Sequence, residues 1–218
     1  GIPVLFLDRF PSGLKDYQRT IGFRYIDAGR AIGRHLAKKG CRDIALLTSP
    51  APTYDISQFQ IGLDEGLAGT GTIDLFRSDY SRVAGKAMEL ASEADRFDAI
   101  VTIDRSRAEA IRKASAYSQK ALPPIVALSE NTLFHTDGIK PYILDYGRLG
   151  RAVGAKISGY LSKETGLTDM ILPEPGFIEE PKLHRIERRK LSILTLNSPA
   201  TESLERLLPD FTRKTGIE

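Results

Sequence analysis

Residues 24–49 read RYIDAGRAIGRHLAKKGCRDIALLTS, and the fold is decided by how this stretch divides. It splits into a short extended piece (24–26), an amphipathic helix (27–39) and a buried strand (43–48). Asp27 is placed to cap the helix by accepting a hydrogen bond from a free backbone N–H of its first turn. Ala28, Ala31, Ile32, His35, Leu36 and Lys39 fall on one face at spacings of three and four. Gly29 and Gly33 thin a neighbouring strip, so another backbone can approach there. Gly40 stands where a helix end calls for a left-handed residue. The run Ile44-Ala45-Leu46-Leu47 is too short for a helix and lacks polar alternation, as expected of a parallel strand covered on both faces. A helix feeding such a strand is an α/β unit, and the chain repeats it.

The composition sets bounds on what such a chain does. Its 218 residues are 41% hydrophobic and 27% charged, ordinary for a globular protein with a sizeable core. The net charge of +3 is too small to argue for an acidic partner. The one concentrated basic run, HRIERRK at 184–190, reads as a solvated linker rather than a nucleic-acid site. Cys41 is the single cysteine, which excludes an internal disulfide and points to a protein that is cytosolic or at least not built on disulfides. There is no apolar stretch of membrane-spanning length and no signal peptide, so no membrane partner is expected. Both ends read as cuts into a longer protein.

Taken in order, 4–7 (VLFL) is a buried strand ending at Asp8-Arg9, and a polar loop follows from Pro11. Helices are expected at 55–67, from Ser81 through Ala91, at 106–116 and at 147–163. Strands are expected at 72–76, 99–103, 125–128, 142–144 and 170–172. The segment 178–190 reads as a charged linker. A last strand at 191–196 precedes a helix with Leu204, Leu207, Leu208 and Phe211 on its apolar stripe, broken at Pro209.

With that order in place, the sequence resembles the effector-binding core of LacI/GalR-type transcriptional regulators. The matching landmarks are IPVLFLD (2–8), IDAGRAIGRHLAKKGCRDIALLTS (26–49), FQIGLDEGL (59–67), FDAIVTIDRSRAEAIRKA (97–114), PPIVALSEN (123–131) and YILDYGRLGRAVGAKISGYL (142–161). The resemblance covers about residues 1–180 and implies a type I periplasmic-binding-protein-like fold. Two α/β lobes with parallel sheets would be joined by three crossovers, near residues 26, 137 and 165. One lobe would comprise 1–26 and 138–165, lacking the family's opening strands, and the other 27–137 and 168–180. Residues 181–190 would be a linker. Residues 191–218 resemble the start of an extracellular solute-binding protein. They would begin a truncated second domain in preference to folding back onto the incomplete lobe.

Function follows the same resemblance. It implies a sensor that binds a small-molecule effector, a carbohydrate, between the lobes. DNA would be contacted only through a head domain outside this chain. A cytoplasmic homodimer is expected, with no cofactor and no metal. The alternative is a sugar-binding component of a transport or chemoreception system. Catalysis is not indicated: His35, His135 and His184 have no nucleophile or ligand-spaced carboxylate nearby in sequence, and no GxSxG, HExxH or phosphate-cradling loop occurs.

Sugars are gripped by carboxylates and amides on their hydroxyls and by aromatic rings on their C–H faces. Asp8, Tyr80, Asp104, Arg105, Ser129 and Phe59 are the candidate residues. Asp8 matches a cleft-facing family position, with a solvated loop carboxylate as the other reading. Asp104 stands where the family often has a ligand-bonding asparagine, and equally where a helix cap would stand. Tyr80 matches an aromatic position of some members, or is simply half-buried. Ser129 stands where the family commonly has aspartate. The family's effector-gripping arginine falls on Phe59. Arg105 either replaces that arginine or pairs with Asp104.

Overall fold

The computed structural model describes residues 4–8, 18–50, 53–118, 120–130, 138–166, 168–172 and 176–177. The strand and helix expected at 191–211, with the linker at 181–190, lie outside them. So does the polar loop from Pro11.

The quoted stretch folds as a helix, α1 (Tyr25–Lys38), and a strand, β3 (Asp43–Thr48). Gly40 adopts φ +80, which lets the chain reverse out of the helix. β3 pairs in parallel with β4 (Thr72–Arg77) on one side and β5 (Ala99–Thr102) on the other. It is buried from Ile44 to Thr48. Beyond β5 come β6 (Ile125–Ser129), β7 (Ile139–Ile143) and the antiparallel two-residue β9 (Gly176–Phe177), giving the order β4-β3-β5-β6-β7-β9. α1 and α2 (Tyr54–Leu67) cover one face through Ile32, Leu36, Phe59 and Leu63. α3 (Val83–Ser92) and α4 (Arg105–Ser118) cover the other through Ala87, Leu90, Ala108 and Ile111.

α1 and α2 meet through four glycines. A Cβ on Gly29 would lie 2.7 Å from the Leu63 nitrogen, and one on Gly33 would lie 2.8 Å from the Gly66 Cα. A Cβ on Gly62 would collide with the Ile26 carbonyl oxygen, and one on Gly66 would lie 2.5 Å from the Arg30 oxygen. The close approach expected at Gly29 and Gly33 is therefore met by a matching pair on α2.

A second, three-stranded parallel sheet has the order β1-β2-β8: β1 (Val4–Leu7), β2 (Gln18–Phe23) and β8 (Met170–Leu172). α5 (Tyr146–Leu161) packs on it with Leu149 and Val153 against Ile21, Phe23 and Leu172. The architecture is thus α/β with two mainly parallel sheets.

Four expectations are corrected. Asp27 does not cap α1: the Asp27 and Ala28 nitrogens both donate to the Arg24 carbonyl, so the helix begins earlier. Asp27 instead pairs with Arg24 at 3.0 Å and Arg30 at 2.9 Å. Of the piece expected to be extended at 24–26 only Arg24 is, since Tyr25 and Ile26 already belong to α1, and the strand before the helix is β2, at residues read from sequence as the end of the polar loop. Residues 138–143, expected with the first lobe, belong to the larger sheet. β7 runs in register with β6 from Ile125↔Ile139 to Ser129↔Ile143, and Ile139 and Tyr142 each fill one core of that sheet. Met170–Leu172, expected with the larger lobe, pairs with β2 instead, and Gly176–Phe177 returns to the larger sheet. The second crossing therefore follows Leu144, where Asp145 caps α5 by accepting from Arg148 N at 2.8 Å.

Candidate ligand-binding site

In an open parallel sheet, ligands bind outside the carboxyl ends of the strands where the strand order reverses. Here the chain runs from β3 outward to β4 and then returns past β3 to β5, so the strand order reverses between β3 and β5, and the candidate edge is at their carboxyl ends. The residues there are Thr48, Ser78, Asp104 and, at the end of β6, Ser129. All but Asp104 are buried. Buried hydroxyls at the ends of hydrophobic strands are a departure from the core pattern, and the Thr48 Oγ1 has no hydrogen-bond partner among the described residues.

Asp104 is the centre of this edge. Its Oδ1 accepts from the Arg107 backbone nitrogen at 2.9 Å, the capping geometry for α4, so one sequence alternative is realised. Its Oδ2 accepts from Arg107 Nη1 and, at 3.2 Å, from the Tyr80 hydroxyl. Arg107 is only 2% exposed, and its Nη2 donates to the Ser78 carbonyl at 2.8 Å. The Tyr80 ring, 67% exposed as a residue, lies over the guanidinium at 4.6 Å. Tyr80 and Asp104, both expected at the site, are thus brought together. Arg107 was missed by sequence reasoning; the signal was an arginine three residues past a capping aspartate, at an inward-facing position of α4.

Arg105 turns along the helix instead, its Nε donating to Glu109 Oε1 at 2.7 Å. Ser129 is buried at the edge, and its carbonyl accepts from Leu144 N at 2.9 Å. Phe59 is a correction: at 0% exposure it is a core residue of the α1–α2 layer and offers no surface to a ligand.

Asp8 ends β1 in the smaller sheet with φ 50, a left-handed conformation tolerated by aspartate. Its Oδ2 accepts from Tyr25 Oη at 2.6 Å and from Tyr146 Oη, and its Oδ1 accepts from Phe23 N at 3.3 Å. Burial above all, together with the neighbouring carboxylate, pushes both phenols well above the ordinary tyrosine range, so both remain donors. Tyr25 opens α1 and Tyr146 opens α5, so this carboxylate ties together the starts of two helices that follow the first two crossings. Beside it, Phe23, Tyr25, Ile171, Tyr54 and Gln58 line a cavity of about 240 Å³.

Among the described residues no group of His, Cys, Asp and Glu could hold a metal ion. No helix among them is long and apolar enough to cross a membrane.

No family model matches the sequence, and no curated protein does. Solved structures do match in fold. A LacI family transcriptional regulator from Enterococcus faecium with bound ribose superposes with TM-score 0.70 at 14% identity, over 81% of this chain and 68% of that one. A periplasmic binding protein/LacI transcriptional regulator from Alkaliphilus metalliredigens, complexed with D-xylulofuranose, gives 0.68 at 18% identity over 82% and 69%. A glucose-galactose binding protein from Geobacillus stearothermophilus gives 0.69 at 16% identity over 84% and 69%. The chain is therefore a two-lobed α/β domain of the periplasmic-binding-protein-like type. More particularly, its fold is the one seen in LacI-family regulators and sugar-binding proteins.

Proposed function

We propose that this chain is a non-enzymatic sensing domain that binds a carbohydrate at the carboxyl edge of the larger sheet. The observation that carries the reading is the convergence of Tyr80, Asp104 and Arg107 at the point where the strand order reverses. Tyr80 supplies an exposed ring and phenol, Asp104 an acceptor, and Thr48 and Ser129 hydroxyls at neighbouring strand ends. Asp8 acts through the two tyrosines it holds.

In this reading, ligand shifts the equilibrium between open and closed lobes, and a DNA-binding head outside these residues reports the change. The protein would then act in the cytoplasm as a homodimer. The alternative, a binding protein for transport or chemoreception, is supported by the fold shared with the glucose-galactose binding protein. Calorimetry of the full chain with D-ribose, D-glucose and D-galactose tests the binding. Saturable 1:1 heat is expected from at least one, weakened about tenfold or more by Asp104→Ala, which removes a charged hydrogen-bond acceptor. No heat from any of the three contradicts it.

A further inference from the structure

Arg107 is a buried cation in a place where the core needs none. β4 and β5 flank β3 in the sheet. A guanidinium that reaches both the Ser78 carbonyl after β4 and the Asp104 carboxylate after β5 must lie across the carboxyl end of β3. That is the edge where the strand order reverses. Two of its three nitrogens are occupied there, while the third, Nε, is buried and has no hydrogen-bond partner among the described residues. A buried donor left unmade is costly, and proteins leave few of them. The face of the same guanidinium is covered by Tyr80, a largely exposed side chain whose only other described anchor is the 3.2 Å bond to Asp104.

The geometry points to Arg107 as a specificity-determining residue of the proposed sugar site, one that selects uncharged hydroxylated ligands over acidic ones. A ligand hydroxyl that displaces the Tyr80 phenol donates to Asp104 Oδ2 and accepts from Arg107 Nε. Only a group that both donates and accepts satisfies the two together. A carboxylate or phosphate would satisfy Nε, yet it would stand against Asp104, whose negative charge already neutralises the guanidinium. Like charges at such a distance, partly withdrawn from water, disfavour binding. The pair is therefore a neutral, preformed donor–acceptor couple rather than an anion site.

This inference rests on the sugar-binding reading, and the test separates the two. D-Galactose with D-galacturonate, D-glucose with D-glucuronate, and D-ribose with D-ribose 5-phosphate are titrated calorimetrically into the full chain and into Asp104→Asn. Asparagine keeps the helix cap, so the fold is preserved, and a thermal melt checks this. It removes the charge that neutralises Arg107. In the wild type the neutral member of each binding pair is expected to be favoured. In Asp104→Asn the ratio of acid to neutral affinity should rise about tenfold, as expected for a charged hydrogen bond gained. Arg107→Lys, which keeps the charge without the planar fork, should weaken the neutral sugar about tenfold while the acid-to-neutral ratio stays as in the wild type. Sugar binding with an unchanged ratio in Asp104→Asn overturns the role of Arg107 and leaves the sensor reading standing. Absence of binding by all six compounds overturns both.

Discussion

The two sheets are finished to different standards. The larger one is sealed on both faces, and its α1–α2 layer is so close that glycine is required at four contact points. Among the described residues the smaller one carries one helix, whose lower half buries little: Ile157 is 44% and Leu161 73% exposed. Leu7 and Ile171 of its strands are also exposed. The same residue type marks the contrast. Glycines of α1 and α2 touch the opposing backbone, whereas Gly150 and Gly154 of α5 have open space around them. The larger lobe is therefore the more tightly packed of the two. The smaller lobe leaves Leu7, Ile157, Leu161 and Ile171 open to solvent.

The contrast can be broken with one substitution made twice. Gly62→Ala places a Cβ 2.8 Å from the Ile26 carbonyl carbon and 3.0 Å from Arg30 N, both backbone atoms. The two helices must separate, and urea unfolding should show a loss of about 3 kcal/mol. Gly154→Ala meets nothing within 4 Å. It should raise stability by about 0.5–1 kcal/mol through helix propensity alone. Equal effects at the two positions would dissolve the distinction between the lobes.

A smaller effect sharpens the comparison at the margin of the larger sheet. His35 of α1 stacks on Phe177 at 4.4 Å, and its Nε2 lies 3.4 Å from Lys140 Nζ. Burial first, then Lys140, Lys39 and Lys38, depress its pKa below the usual 6.5. The folded state thus holds His35 neutral more firmly than the unfolded state does. Its contribution is complete above pH 6.5 and is lost as pH falls from there through the lowered folded value. The urea midpoint should decline over that range, and His35→Gln should flatten the decline. The smaller sheet, which contains no such group among the described residues, should not share it.

Much of the larger lobe was legible because its signals are local. β3 is an unbroken apolar run, and Gly40 follows a helical period. The glycines of α1 announced a close approach, although their partners Gly62 and Gly66 were not singled out. What failed were features set by distant residues. β2 opens with Gln18-Arg19-Thr20, which reads as a polar loop; its strand pairing comes from β1 and β8, and Asp169 accepts from Thr20 N at 2.7 Å. The sheet to which 139–143 belongs is decided by pairing with β6, which periodicity cannot reveal. Phe59 was read by alignment with an arginine of the resembled family, yet as phenylalanine on the inner face of α2 it fills the core. Arg107 was passed over because a charged residue on a helix is ordinarily solvated. Only the fold shows that it lies under Tyr80, against Asp104 and Ser78.

The central claim is that ligand is held at the carboxyl edge of β3, β5 and β6. It is tested most directly by mapping backbone amide chemical shifts in a two-dimensional NMR titration with whichever of D-ribose, D-glucose or D-galactose binds. The largest perturbations are expected at Thr48, Ser78, Tyr80, Asp104, Arg107 and Ser129, with the Gly29–Gly62 seam unmoved. Perturbations confined to Tyr54, Gln58 and Ile171, around the cavity beside Asp8, would contradict it.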